Sequence, residues 1–499
     1  MMYRGLLGYL IFCASLALAQ PRAITILHVN DIHGHFLSKP AVERSDKALI
    51  GGFAALSHYL RVERERASNT IFLDAGDFMT GNPICDMEHR GVCGGALVEL
   101  LEMVGCKADV LGNHEFDISQ ENAHKLASMP TYPILCADLV DSAGHLFAPA
   151  ATVIYEMGGV RIGIIGLIFE QLNYSASRTN LKGLQIKDIA QTAQHYIDEM
   201  DPATDLIVLL THNGVDNDRD LARKVHDADV IVGGHSHTRL SEPVRENGIL
   251  IVQAGCHLQD LGVLDLEVAG DTIFNYQGRL VPLLAEGTQP DSHVAAFSDS
   301  FKSMIDADYA QVVGHLAADW ISAHNEESNV GNWICDRLCE VFGVDVALIN
   351  AGGIRTNIAA GPVTELQVAE LLPFHNSIVL FPASGSQLRK FAENQAHAHA
   401  FRDHGTLDIS GMSITYRRRG GEVEVTACEV AGEPLDLKRE YRIASIDYIA
   451  VSQYERYLGF QPQSIQQTGQ LLADFVVAQM QKTDKPILSR VEGRLRQSP

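Results

Sequence analysis

Five short clusters of Asp, His and Asn follow five apolar segments in the first half of this 499-residue chain. Carboxylate and amide oxygens combined with imidazole nitrogens suit Mn²⁺, Zn²⁺ or Fe²⁺, whereas an all-oxygen set would favour Mg²⁺ or Ca²⁺. A centre with two such ions needs a carboxylate that bridges them, and Asp77 is our candidate. The clusters therefore predict a site for two divalent ions. They are Asn30-Asp31-Ile32-His33-Gly34, Asp74-Ala75-Gly76-Asp77, Gly112-Asn113-His114-Glu115, Thr211-His212-Asn213-Gly214 and Gly233-Gly234-His235-Ser236-His237.

The apolar segments that precede these clusters are short and rich in Ile, Val and Leu, which is typical of buried strands. They span residues 24–29, 70–73, 110–111, 206–210 and 230–232. In α/β sheets ligands bind beyond the carboxyl ends of the strands, so the five clusters are expected to converge on one rim. Each cluster taken singly could be a turn or a solvated loop, and it is their combination that favours a metal site. The remaining histidines, including His35, His89, His257, His397 and His399, are predicted to be surface or packing residues.

The series Asp31-x-His33, Gly76-Asp77, Gly112-Asn113-His114-Glu115, His212 and Gly234-His235-Ser236-His237 resembles the signature of calcineurin-like metallophosphoesterases. The resemblance implies two metal-binding sets that share Asp77. One set is Asp31, His33, Asp77 and His237, and the other is Asp77, Asn113, His212 and His235.

The segment from Asn113 to Asp117 further resembles the exported 5′-nucleotidases, in which the histidine and the aspartate three residues later form a catalytic dyad. A histidine beside a metal ligand can stabilise the transition state or act as general acid, and a carboxylate can fix its tautomer. His114 fits the first role and Asp117 the second. Asp117 could also cap a helix, and the two roles are compatible.

The second half of the chain contains motifs that resemble the 5′-nucleotidase C-terminal domain. They are Ser328-Asn329-Val330-Gly331-Asn332, Asn350-Ala351-Gly352-Gly353-Ile354-Arg355 and Leu372-Pro373-Phe374. The resemblance implies that Arg355 binds phosphate as a bidentate donor, assisted by Asn350 and Gly353, and that Tyr448 stacks on a base. The alternative for Arg355 is a loop arginine in solvent.

Three departures from that family concern the substrate. Arginines are expected before the Asn329 helix, where this chain has His324-Asn325-Glu326-Glu327. A second stacking aromatic is expected at 407–411, where the chain has Leu407-Asp408-Ile409-Ser410-Gly411. A Gly-Gly-Asp-Gly loop is replaced by Ser452-Gln453-Tyr454-Glu455. The identity of the substrate within the phosphoesters is therefore left open.

The organisation along the chain is predicted from composition and resemblance together. Arg4, an apolar run from Leu6 to Leu18 and Ala17-Leu18-Ala19 indicate a cleavable signal peptide at 1–19, hence export to a periplasm or to the exterior. A buried helix or membrane anchor is the alternative, but the run is short of the roughly 20 residues that span a bilayer. Residues 20–294 would form the metallophosphoesterase domain, 295–312 a connector helix and 313–499 the substrate-binding domain.

The expected fold class is α/β, or α+β overall: a four-layer β-sandwich flanked by helices, joined to a second, mixed α/β domain. The net charge of −23 argues against a nucleic acid polymer as partner, and no second stretch could span a membrane. Cys85 and Cys93 could form a disulfide that staples a surface loop, or remain two free thiols. Oligomeric state does not follow from the sequence.

These observations favour an exported phosphohydrolase that releases phosphate from nucleoside 5′-monophosphates, in nucleotide catabolism or salvage. The alternatives with the same chemistry are hydrolysis of UDP-sugars, nucleoside di- and triphosphates or 2′,3′-cyclic nucleotides. A thiosulfohydrolase and a secreted binding protein without catalysis are more distant alternatives.

Overall fold

The computed structural model describes residues 21–40, 48–402 and 405–498. The predicted signal peptide lies outside these residues. Within these three ranges, no helix combines the length and the apolar composition that a membrane crossing requires.

Two sheets face each other in the first half of the chain. The smaller sheet pairs Arg22–Val29 in parallel with Thr70–Asp74 and in antiparallel with Asp260–Val268, and Ile273–Pro282 lies at its edge. The larger sheet has a parallel centre with an antiparallel strand at each edge. Its six strands, in spatial order, are Thr152–Met157, Val160–Ile168, Leu206–His212, Val230–Gly233, Ile249–Val252 and Val244–Glu246.

An apolar core fills the space between the sheets, with Ile26 and Leu73 from one sheet and Ile164 and Val208 from the other. Helices cover both outer faces because each presents an apolar side to its sheet. The smaller sheet is covered by Phe53–Arg66, Gly95–Met103, Gln120–Ser128 and Ser292–Tyr309, and the larger by Ile189–Met200 and Val215–Lys224. The arrangement confirms the predicted four-layer sandwich.

Short pairings complete this half. They are Lys39–Pro40 with Leu49–Ile50, Glu88–His89 with Val92–Cys93, Asp109–Val110 with Ile134–Leu135, and Leu139–Asp141 with Leu184–Ile186. The helix Ser292–Tyr309 leads into the second half and packs Phe301 and Ile305 against the first-half core.

The second half is built on a five-stranded mixed sheet and a four-stranded sheet. The first has the order Leu407–Ser410, Val346–Asn350, Glu440–Ile446, Ser377–Ser384 and Gln466–Leu471; the second has Glu433–Pro434, Glu422–Val430, Met412–Arg419 and Leu495–Gln497. Val312–Leu316 pairs with Gly361–Thr364. Packed against them are the helices Asn329–Phe342, Glu365–Leu371, Gly385–Phe401, Tyr454–Tyr457 and Leu472–Gln481. Met412–Arg419 and Glu422–Val430 form an antiparallel hairpin that turns at Gly420 and Gly421.

All eight cysteines of the described residues are free thiols, so the disulfide considered for Cys85 and Cys93 is not formed. Cys85 is buried, and its sulfur accepts a hydrogen bond from Thr80 N at 3.2 Å. The backbone N–H of Cys93 donates a hydrogen bond to Asn122 Oδ1, and its carbonyl accepts one from Asn122 Nδ2. The short spacing allowed a staple, but each cysteine is held by a different neighbour.

Candidate metal centre and substrate cleft

The seven predicted metal ligands come from five loops that meet at one rim of the sandwich. Asp31, His33 and His237 bring one ligand atom each within 4.8 Å of one another, and so do Asp77, His212 and His235. A third group of the same kind contains His33, Asp77 and His114. The three groups overlap, so they outline one continuous polar centre.

The first group has its donor atoms directed at a common point. His237 Nε2 lies 3.3 Å from Asp31 Oδ1 and 3.0 Å from His33 Nε2. The other nitrogen of His33, Nδ1, lies 3.1 Å from the carbonyl oxygen of Met79. Because a carbonyl only accepts, Nδ1 carries the proton and Nε2 is left with its lone pair toward the centre.

The second group is arranged in the same way. His212 Nε2 lies 3.0 Å from Asp77 Oδ2, and His212 Nδ1 lies 2.8 Å from the carbonyl of Ala75. Asn113 Oδ1 is buried without a hydrogen-bond partner among the described residues. Buried polar atoms normally have hydrogen-bond partners. An amide oxygen left without one in this centre fits a ligand of a divalent metal ion.

The charged side chains of the centre shift one another's pKa values. Burial raises the pKa of Asp77, but the charges of His212 and His114 outweigh it and hold the pKa well below its usual value. Burial lowers the pKa of His237, but the ion pair with Asp31 raises it to about 10. The carboxylates therefore remain anionic, and a bound cation would replace protons on neighbouring imidazoles.

The ligand loops have an unusual backbone. Residues other than glycine rarely adopt positive φ, yet five of the seven predicted ligands do. They are Asp31 at 52°, His33 at 49°, Asp77 at 59°, His235 at 75° and His237 at 54°. Their side chains reach the centre because the loops turn sharply at these residues.

Glu115, for which the sequence analysis predicts no separate role, ties two of these loops together. Its fully buried carboxylate accepts hydrogen bonds from the backbone N–H groups of Gly112 at 2.6 Å, Asp77 at 3.2 Å and Met79 at 3.2 Å. Gly112 must lack a side chain, since a Cβ there would overlap Asp77 Oδ1. Burial raises the pKa of Glu115 to about 7.

His114 and Asp117 form the expected pair. His114 Nδ1 lies 2.6 Å from Asp117 Oδ2, so this nitrogen donates and Nε2 points toward Asp77 Oδ2, 3.9 Å away. Burial lowers the pKa of His114, but Asp117 and Asp77 outweigh it and the net shift is upward. His114 thus has one nitrogen held by Asp117 and the other directed at the metal centre.

A cleft of about 990 Å³ opens between the two halves directly above this centre. Among the predicted substrate residues, Asn350, Arg355 and Tyr448 line it. Arg355 is half-buried, and its Nη2 lies 3.3 Å from His33 Nε2. Gly353 does not line the cleft and lies behind Asn350, where a Cβ would be 3.0 Å from Asn350 Oδ1.

The cleft also contains residues that the sequence analysis does not identify as substrate neighbours. Phe374 belongs to the cleft wall, and its ring centroid lies 5.9 Å from Cζ of the Arg355 guanidinium. Arg402 and Arg456 add basic side chains to the wall, and His324 lies beside them with its pKa lowered by burial. Glu326, which stands where an arginine is expected, forms an ion pair with Arg402 at 2.8 Å.

Two histidines predicted as surface or packing residues lie beside the metal centre instead. The rings of His35 and His257 stack with centroids 3.9 Å apart, and the His257 ring lies 5.7 Å from that of His33. His35 directly follows the Asn30–Gly34 cluster, whereas His257 follows none of the five clusters, so only the folded chain shows the position of His257. His89 packs against Phe297 and Phe301, and His399 bonds the Tyr416 hydroxyl, as packing residues would.

Several hydrogen bonds close the cleft from both halves. Asn82 Nδ2 donates to Glu370 Oε1 at 2.6 Å, and Arg456 Nη1 donates to the carbonyl of Tyr174 at 2.6 Å. Gln453 Nε2 donates to the carbonyl of Asn173 at 2.9 Å. The structure thus has the second half seated against the metal loops.

Comparison with known proteins agrees with this architecture. A model of calcineurin-like phosphoesterases matches residues 24–239, and a model of the 5′-nucleotidase C-terminal domain matches residues 312–456. Protein 5NUC of Lutzomyia longipalpis is 27% identical over 97% of this chain and 96% of its own length. The 5′-nucleotidase of Mus musculus is 28% identical over 86% of this chain and 82% of its own.

Among solved structures, a 5′-nucleotidase precursor from Thermus thermophilus superposes with a TM-score of 0.84 at 26% identity, covering 95% of this chain and 99% of that one. Both halves and their order along the chain are therefore shared with these relatives. The chain belongs to the family in which a calcineurin-like phosphoesterase domain precedes a 5′-nucleotidase C-terminal domain, and it is a metal-dependent phosphoester hydrolase.

Proposed function

We propose that this protein is an exported 5′-nucleotidase that hydrolyses nucleoside 5′-monophosphates to nucleoside and phosphate. The observation that carries the proposal is the opposition of two sets of groups across one cleft. Arg355 faces the metal loops from the second half, 3.3 Å from His33, and the His114–Asp117 pair lies in the same wall. A phosphate bound between them would contact both.

The centre would hold two divalent ions, with Zn²⁺, Mn²⁺ and Fe²⁺ all compatible with the donors. One ion would be held by Asp31, His33, Asp77 and His237, and the other by Asp77, Asn113, His212 and His235. The unpaired Asn113 Oδ1 supports the inclusion of that amide. When bound, the ions supply a Lewis acid for the phosphoryl oxygens and a source of hydroxide near neutral pH.

The chain's own groups would then act on the phosphate and the leaving oxygen. Arg355 offers a planar pair of N–H donors, which orients a phosphate more tightly than an ammonium can. His114 Nε2 would donate a proton to the leaving nucleoside oxygen, while Asp117 keeps Nδ1 protonated. The charges of Asp117 and Asp77 shift the pKa of His114 upward, which favours the protonated form that a general acid needs.

The nucleoside would occupy the outer part of the cleft. Phe374 and Tyr448 both line it and offer aromatic faces to a base, and Asn350 Oδ1 is buried without a partner in the described chain. Stacking on such faces contributes about 1 to 3 kcal/mol per base. These groups support a nucleotide over a simple alkyl phosphate.

The test is phosphate release by purified residues 20–499 with Mn²⁺ or Zn²⁺, with a chelator as control. The panel is AMP, other nucleoside monophosphates, ATP, UDP-glucose, a 2′,3′-cyclic nucleotide and an aryl phosphate. We expect metal-dependent release with a monophosphate preferred. A preference for UDP-glucose, ATP or the cyclic nucleotide would select those alternatives, and activity on the aryl phosphate alone would refute nucleotide recognition.

Silence on the whole panel with metals bound would refute the hydrolase specificity proposed and favour the thiosulfohydrolase or binding alternatives. Export is tested separately: intact-mass analysis of the protein recovered outside the cytoplasm should give a chain that begins at Gln20. A chain that keeps residues 1–19 would contradict cleavage.

A further inference from the structure

Thr80 contacts the predicted dyad from a loop of its own. Its hydroxyl donates to Asp117 Oδ2 at 2.6 Å, and the same oxygen lies 2.6 Å from His114 Nδ1. Thr80 is only 5% exposed, although it forms part of the cleft wall. One carboxylate oxygen is therefore held between two donors.

The backbone of Thr80 indicates that this contact is constrained. Its φ is 67°, a conformation that is an outlier for a β-branched residue. Strained residues of this kind persist where the surroundings fix them, often near active sites. The amide of Thr80 donates to Cys85 Sγ at 3.2 Å, so the loop is fixed on the side away from Asp117 as well.

The backbone around Asp117 is fixed independently of Thr80. Asn180 Nδ2 donates to the carbonyl of Phe116 at 2.8 Å and to that of Asp117 at 3.2 Å. These bonds hold the turn but leave the Asp117 carboxylate free to rotate. The Thr80 hydroxyl removes that freedom, because it binds the oxygen that His114 needs.

We propose that Thr80 is a positioning residue for catalysis, acting through Asp117 to keep the His114 imidazole directed at the reacting phosphate. The inference rests on the proposed function, since it assumes that His114 and Asp117 form the catalytic dyad. The loop that carries Thr80 also contains Asp77 and, two residues after Thr80, Asn82, which bonds Glu370 of the second half. Seating of the second half and alignment of the dyad therefore depend on one loop.

The decisive comparison is Thr80→Ala against Thr80→Ser. Both remove the γ-methyl and keep Cβ, so they change the backbone strain at this position alike, but only Thr80→Ala removes the hydroxyl. Because hydrogen bonds to charged groups are among the stronger ones, we expect kcat of Thr80→Ala to fall about 10-fold or more, with KM within about twofold of wild type. Thr80→Ser should retain most of the wild-type kcat, and metal content per chain should be unchanged in both.

A double-mutant cycle separates action through Asp117 from other effects. In an Asp117→Ala background, Thr80→Ala should cause no further loss of kcat, since its partner is already gone. Equal kcat for Thr80→Ala and Thr80→Ser, a loss confined to KM, or additive losses in the double variant would each overturn the proposal. The last two would indicate direct substrate contact or a general structural role.

These outcomes are distinct from failure of the proposed function. The measurements use whichever panel substrate the wild type hydrolyses best, so an inactive wild type would refute the function and not the Thr80 inference. An Asp117→Ala variant with wild-type kcat would refute the dyad. A damaged Asp117→Ala variant together with an unaffected Thr80→Ala variant would refute the Thr80 inference and leave the proposed function standing.

Discussion

Replacement of Glu115 should destabilise the first half in proportion to the backbone donors left without a partner. Oε2 of Glu115 accepts from Asp77 N and Gly112 N, and Oε1 accepts from Met79 N. Glu115→Ala orphans all three N–H groups, each at a cost of about 1 to 3 kcal/mol, so we expect a loss of about 3 kcal/mol or more. Glu115→Gln keeps an oxygen at the Oε2 position and loses one bond, so the loss should be about 1 to 3 kcal/mol.

The two tryptophans allow unfolding of the second half to be followed separately from unfolding of the whole chain. Trp320 and Trp333 are the only tryptophans of the chain, and both lie in the second half with ring centroids 5.2 Å apart. Urea unfolding of chelated protein should therefore show the Glu115 variants shifted by circular dichroism, with the tryptophan fluorescence transition unmoved. Equal shifts in both signals would mean that the halves unfold together.

The reasoning about Glu115 is refuted if Glu115→Ala and Glu115→Gln differ by less than about 1 kcal/mol, since the argument depends on the number of orphaned donors. Titration of Mn²⁺ into the folded variants gives a second readout. Loosening of the loop that carries Asp77 should weaken metal affinity more in Glu115→Ala than in Glu115→Gln.

Contacts at the dyad, in the cleft and in the second-half core are testable in the same way. His114→Ala should lower kcat by about 10²- to 10⁴-fold with metal content unchanged, measured by turnover and elemental analysis; loss of metal would mean that His114 is a ligand. Arg355→Lys should raise KM for a nucleoside monophosphate, and Arg355→Ala should raise it further, because an ammonium cannot replace the bidentate guanidinium; equal KM values in all three proteins would contradict phosphate contact. Burial raises the pKa of Asp408 in the folded protein to about 7, whereas an aspartate in the unfolded chain has a pKa of about 4. Between pH 4 and pH 7 the folded protein therefore keeps a proton that the unfolded chain has released, so the free energy of unfolding falls as pH rises through this range. Asp408→Asn should remove this contribution to the pH dependence of the free energy of unfolding, measured by tryptophan fluorescence from pH 4 to 8. An unchanged pH dependence in the variant would show that Asp408 does not titrate in this range.

The strands and the ligand loops could be predicted because each ligand cluster directly follows an apolar segment. That coupling of hydrophobic pattern to polar residues is local in sequence. The approach of His257 to His33 is not local in sequence, because it depends on the register of strands that are far apart in the chain. Likewise Phe374 belongs to a recognisable motif, but its place beside Arg355 requires the two halves to meet. Thr80 carries no sequence signal, since a threonine in a loop has many uses.

The backbone of the ligand loops has a consequence for the evolution and redesign of this site. Left-handed conformations cost roughly 1 to 2 kcal/mol per residue for side chains other than glycine, and five predicted ligands adopt them. Together they carry about 5 kcal/mol of strain or more, similar to the whole stability of a small domain. Grafting the seven metal ligands onto another scaffold would transfer the donor atoms without the surrounding fold that stabilises these backbone conformations. Conversely, replacing one of these five ligands with glycine would relieve its backbone strain and remove a metal donor, so the strain is retained only while metal binding is selected.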